Sequence, residues 1–196
     1  MTNPPGEGTT NWVRTLEGDD RAYALGLLGM RVAEEDPETA AALQEEARAS
    51  GKAPLGEPTS KIADLFARQD PRATAAWANG FQDWWMKQPA VAGVSAAWAR
   101  EDPVALSRWI QKLTPGPARN NAINNLVKNV APADPGSALR WAADVTDHTE
   151  KRMGLMQQVV DQWSRFAPEE ARSGLEQLSL SESDRRQLLG RINYDP

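Results

Sequence analysis

The chain holds one His and no Cys, which closes most routes to catalysis. Without Cys there is no thiolate nucleophile, no disulfide and no zinc–thiolate centre. His148 sits among Asp147, Thr149 and Glu150 in a stretch with turn chemistry and reads as a solvated side chain. Carboxylates adjoin one another at Glu34-Glu35-Asp36, Glu45-Glu46 and Glu169-Glu170. A glycosidase-type acid pair needs one buried member and a cleft, whereas neighbouring acids on a helix read as a solvated face. No His/carboxylate metal spacing, glycine-rich phosphate loop or nucleophile–base set can be assembled. The expectation is a non-enzymatic chain with no catalytic residue, no cofactor and no metal.

Three groups of residues could instead bind. Trp84 and Trp85 lie in Phe81-Gln82-Asp83-Trp84-Trp85-Met86, at positions that 32 residues later hold the turn residues Gly116 and Pro117. They read either as an aromatic contact for a partner or as an extended helix packing on a neighbouring loop. Asn120, Asn121, Asn124, Asn125 and Asn129 crowd one helix, although Asn is a poor helix former. Asn121, Asn125 and Asn129 could form a hydrogen-bonding face for a peptide backbone; the alternative is a solvated face. Arg21, Lys87, Arg119, Arg152 and Arg185 recur near helix starts, where a cation opposes the macrodipole. Nearby acids or a Trp face would offset that cost, and a row of such cations could also hold an acidic ligand.

Composition narrows the partners. A net charge of −5 disfavours nucleic acid, whose phosphates call for a surplus of Lys and Arg, and disfavours an anionic membrane surface. No apolar run reaches the roughly 18 residues of a membrane span. Residues 1–10 are rich in Pro, Gly and Thr and read as a flexible lead-in. No compartment is specified: cytoplasmic is the default, and periplasmic follows if Met1 replaces a removed leader or anchor.

The elements that carry these residues follow from a recurring dipeptide. Asp36-Pro37, Asp70-Pro71, Asp102-Pro103 and Asp134-Pro135 are spaced by 34, 32 and 32 residues, and Ala167-Pro168 follows 33 later. Asp suits the N-cap and Pro the first turn of a helix. After each Pro an apolar face recurs, as in Leu106, Trp109 and Leu113 or Ala138, Trp141 and Val145. Before each Pro a second stripe recurs, as in Leu25, Leu28 and Val32 or Ile123, Leu126 and Val130. Turn chemistry at Thr114–Pro117 and a Pro/Gly-rich break from Ser50 to Pro58 separate the two. The pattern predicts an all-α fold with residues 11–196 in one helical repeat domain. Asp195-Pro196 looks like an unfinished further unit.

Asp134-Pro135-Gly136-Ser137-Ala138-Leu139-Arg140-Trp141 resembles the junction between consecutive tetratricopeptide repeats, without their Leu-Gly-x-x-Tyr continuation. It is similar, more closely, to a Trp-rich, Asp-Pro-anchored helical repeat of bacterial proteins. The resemblance spans Trp12 to Ile192 and implies an α-solenoid of about five helical hairpins with a 32–34-residue period. It further implies a non-enzymatic scaffold that binds a protein or peptide on a concave face; the contacts themselves are not carried over from the resemblance, and the residues offer Trp84, Trp85, Asn121, Asn125 and Asn129 for that role. The alternative function is a carbohydrate- or cell-wall-associated module that stacks sugars on exposed Trp rings. The helix entering near Trp12 lacks an Asp-Pro start, which leaves an end suited to end-to-end self-association.

Overall fold

The computed structural model describes residues 7–52, 55–146 and 149–192 and builds them into α-helices, with no strand among them. In chain order these are α1 (Glu7–Thr15), α2 (Gly18–Val32), α3 (Pro37–Ser50), α4 (Gly56–Gln69), α5 (Pro71–Gly80), α6 (Trp84–Glu101), α7 (Pro103–Ile110), α8 (Pro117–Val130), α9 (Pro135–Ala143), α10 (Thr149–Ser164), α11 (Pro168–Glu176) and α12 (Glu182–Ile192). The expected all-α class is what forms.

The Asp-Pro steps do locally what their chemistry requires. Asp36 Oδ1 accepts from the Thr39 N–H at 2.9 Å, and Asp36 Oδ2 accepts from the Thr39 hydroxyl at 2.6 Å. Asp70 accepts from the backbone N–H of Arg72 and Ala73 at 3.0 and 2.9 Å. Asp102 and Asp134 accept from Ala105 and Ser137, each at 2.8 Å. In every case Pro follows at N1, where its missing N–H leaves nothing unsatisfied. Ala167 has no capping side chain, but α11 carries Glu169 and Glu170 in its first turn, the favourable sign for a helix N-terminus.

The chain divides into two compact units, Met1–Trp98 and Ala99–Pro196. In the first, α2 and α3 form a tight hairpin. Gly18, the first residue of α2, takes a positive φ of 56°, and the Asp19 carboxylate accepts from the Lys52 N–H at 2.6 Å just past α3. Small residues then let the backbones close in. A Cβ at Gly29 would meet Ile62 Cδ1 at 3.0 Å and the Ala40 carbonyl at 3.2 Å; one at Gly26 would meet Leu55 Cδ2 at 2.8 Å. Gln44, fully buried, donates to Thr59 Oγ1 at 2.6 Å and ties α3 to α4. α6 crosses α4 so closely that a Cβ at Gly93 would stand 2.2 Å from the Ser60 carbonyl oxygen and 2.6 Å from Ala63 Cβ.

In the second unit, successive helices from α7 to α12 pack on one another, and α9 also meets α11 while α10 meets α12. Leu106, Ile110, Ile123, Leu126, Leu139, Met156, Leu175 and Leu188 are fully buried there. Trp163 lies against α11, where its ring would be 2.7 Å from a Cβ at Gly174.

The expected α-solenoid does not form, and the tetratricopeptide-like resemblance falls with it. Helices range from 8 to 18 residues, and pairings skip neighbours, as α2 with α4, α10 with α12 and α4 with α6. The unit that recurs is a helix start, not a hairpin. An Asp-Pro cap fixes where a helix begins, but its length and packing partners depend on residues that do not recur. Pro89 continues inside α6, and Gly56, Glu57 and Pro58 open α4 instead of prolonging the Ser50–Pro58 break. At the termini, residues 7–10 of the expected lead-in are helical, while residues 1–6, together with Asp195-Pro196, lie outside the described residues.

Gly93→Ala is expected to cost about 3 kcal/mol or more, because the clash is with backbone and a buried methyl, not a mobile side-chain tip. Gly154, inside α10 with open space around its Cβ position, should show the reverse. Gly154→Ala is expected to stabilise by about 0.5–1 kcal/mol. Urea titration of the two variants checks both signs.

Candidate interaction surface

The Arg residues near helix starts are occupied within the fold. Arg119 is buried; its Nε donates to the Ile110 carbonyl at 3.4 Å, its Nη1 to the Asp144 carbonyl at 3.2 Å, and its Nη2 to the Asp144 carboxylate. Arg185 donates to the carbonyls of Leu175 and Leu178 at 2.9 and 2.8 Å. Both guanidiniums thus sit at the carbonyl-rich end of the preceding helix, which offsets the cost of a cation at the start of their own. Arg152 pairs with Asp184 at 3.1 Å and Arg21 with Glu46 at 2.7 Å. These contacts leave no common row of guanidiniums for an acidic ligand.

Glu46 joins two helices to a third. Arg14 of α1 reaches its Oε2 at 3.0 Å while Arg21 of α2 takes its Oε1. Hydrogen bonding from Arg14 holds the Glu46 carboxyl below the ordinary range, against an opposing effect of burial, and raises Arg14 in return. Hydrogen bonds from the side chain and backbone of Thr39, and likewise of Ser137, hold Asp36 and Asp134 low.

The Asn-rich helix splits by role. Asn120 is buried and clasps the backbone of Thr146, donating to its carbonyl at 2.5 Å and accepting from its N–H at 3.1 Å. Asn121 and Asn125 are half-buried and Asn129 is exposed; Asn129 donates to the Asn125 carbonyl one turn back at 2.9 Å. Trp84 and Trp85 are not on a loop, because they open α6. Trp84 is 75% exposed and Trp85 half-buried.

The sugar-stacking alternative has no platform. Trp98, Trp109 and Trp163 are buried and Trp77 and Trp141 half-buried; Trp77 meets Phe81 edge-on at 5.0 Å inside the first unit. The exposed rings, Trp12 and Trp84, stand on separate helices, α1 and α6. The repeat-scaffold reading fails for the reason given above, since its concave face requires the stack that is missing. His148 lies outside the described residues, and among those described no cluster of His, Cys, Asp and Glu could hold a metal ion. No helix among them is long and apolar enough to cross a membrane. An open cleft of about 300 Å³ in the second unit is lined by residues that include Arg140, Trp163, Glu170, Ser173 and Gln177.

One surface was not singled out from the sequence. The inward face of α2 is Ala22, Leu25, Gly26, Leu28 and Gly29. Its outward face carries Tyr23 at 48% and Leu27 at 41% exposure, one turn apart, with half-buried Ala24 beside them. Asp20 lies one turn before this pair and Arg31 one turn after it, both exposed. The signal was present in Ala22-Tyr23-Ala24-Leu25-Gly26-Leu27-Leu28, a stretch apolar on every face. Such a helix is normally buried all round, whereas α2 is covered on one side. No family model, curated protein or solved structure matches this chain.

Arg119→Ala should cost about 2–3 kcal/mol, since it strips partners from Asp144 and the Ile110 carbonyl, and a thermal melt will report it. Glu46→Gln should lower stability by up to about 1 kcal/mol at neutral pH. A depressed carboxyl stabilises above its unfolded pKa near 4.3 and loses that contribution as pH falls through the folded value. The gap between wild type and Glu46→Gln should therefore close on acidification below about pH 4, measured by denaturation across pH 3–7.

Proposed function

We propose that this chain works without catalysis, by presenting the outward face of α2 to another protein. The observation that carries the reading is the pair Tyr23 and Leu27, large apolar side chains left 48% and 41% open on a helix whose other face is core. Aromatic and aliphatic groups flanked by charge are the usual composition of a protein contact. Burying Leu27 and the Tyr23 ring would contribute about 25 cal/mol for each Å² removed from water. A net charge of −5 weighs against a polyanionic partner. Trp84 on α6 extends the set of exposed apolar groups of the first unit.

A photoreactive phenylalanine derivative at position 23 of the full chain tests this in the producing cell. A protein adduct is expected there and none from the same group at Glu38, an exposed position on α3. Absence of any adduct at position 23 would overturn the reading.

A further inference from the structure

The pattern on α2 also names its partner. We infer that the outward face of α2 pairs antiparallel with the same face of a second copy of this chain, an inference that rests on the functional reading above. The argument is self-complementarity. Along the exposed face run Asp20, Tyr23 with Ala24, Leu27 and Arg31, with spacings of three or four residues that keep them in one stripe. An isologous contact places residue i against j and j against i about a two-fold axis. With the axis between residues 25 and 26, Asp20 faces Arg31 of the other copy, Ala24 faces Leu27, and Tyr23 packs beside Leu27 within the same turn. The acid and the base lie about 16 Å apart along the helix at 1.5 Å per residue, so both ion pairs form at the two ends of one apolar contact.

A parallel arrangement is disfavoured by the same residues, because it sets Asp20 against Asp20 and Arg31 against Arg31. Antiparallel packing also aligns opposite ends of the helix dipoles. The charges on neighbouring elements do not compete for this role: Arg14 and Arg21 are engaged with Glu46, and Asp19 caps the Lys52 N–H. Ala24, small and at the centre, allows close approach of the two helices. One helix pair is a small interface, so the association is reversible and concentration-dependent.

Sedimentation of the full chain, with circular dichroism to confirm folding of each variant, tests the pairing. The wild type is expected to dimerise with rising concentration, and Leu27→Glu to weaken the dimer at least tenfold. Asp20→Arg alone and Arg31→Asp alone should each weaken it, since each sets like charges opposite one another twice. Mixing these two variants should restore association as a heterodimer, because every facing pair is then of opposite sign; the double variant should restore the homodimer. A wild type that stays monomeric, or charge variants whose mixture does not associate, overturns the inference. The photoreactive group at position 23 of the otherwise native sequence keeps the test independent of variant folding. An adduct at twice the chain mass supports the second copy. An adduct with a different protein overturns it while leaving the functional reading intact, and no adduct overturns both.

Discussion

Each helix that starts at an Asp-Pro step needs an acceptor for the N–H groups that its first turn leaves without partners. The carboxylates of Asp36, Asp70, Asp102 and Asp134 meet that need at 2.8–3.0 Å. The breaks between α2 and α3, α4 and α5, α6 and α7, and α8 and α9 all sit at these residues. At these four steps the acceptor and the proline together let the chain stop and restart within a few residues, and the packing of α3, α5, α7 and α9 follows from where those restarts fall.

What the restarted helices pack against is governed by a different constraint, the distance of closest approach. Gly26 and Gly29 bring α2 against α3 and α4, and Gly93 brings α6 against Ser60 and Ala63. Gly174 lets the Trp163 ring lie on α11. These glycines are not in a common register with one another, so the helical pairs they allow differ from place to place. Caps recur at nearly equal intervals while packing does not, and a period in the first does not propagate to the second.

The same separation explains what could be read in advance. The all-α class and the helix starts at Pro37, Pro71, Pro103, Pro135 and Pro168 were legible because capping is local chemistry between residues two or three apart. The burial of Leu25, Leu28, Ile123 and Leu126 was legible from helical spacing. The Arg residues were legible as helix-start cations needing an offset, but not their partners. Arg119 finds Asp144 and Arg21 finds Glu46, each 25 residues on. Trp84 and Trp85 were read either as a partner contact or as part of an extended helix, and they begin a helix of their own, α6. The α2 face was missed because an apolar stretch gives no sign of which side stays uncovered.

By itself, then, the sequence determined where helices begin, which residues are apolar on each, and that thiolate chemistry is absent. Those properties depend on atoms within one or two turns of each other. Only the tertiary structure decided that the helices form two compact units instead of a regular stack, that the Arg residues are internally engaged, and that Tyr23 and Leu27 face outward. Each of these depends on how near two backbones can come, and that distance is set jointly by residues far apart in the chain.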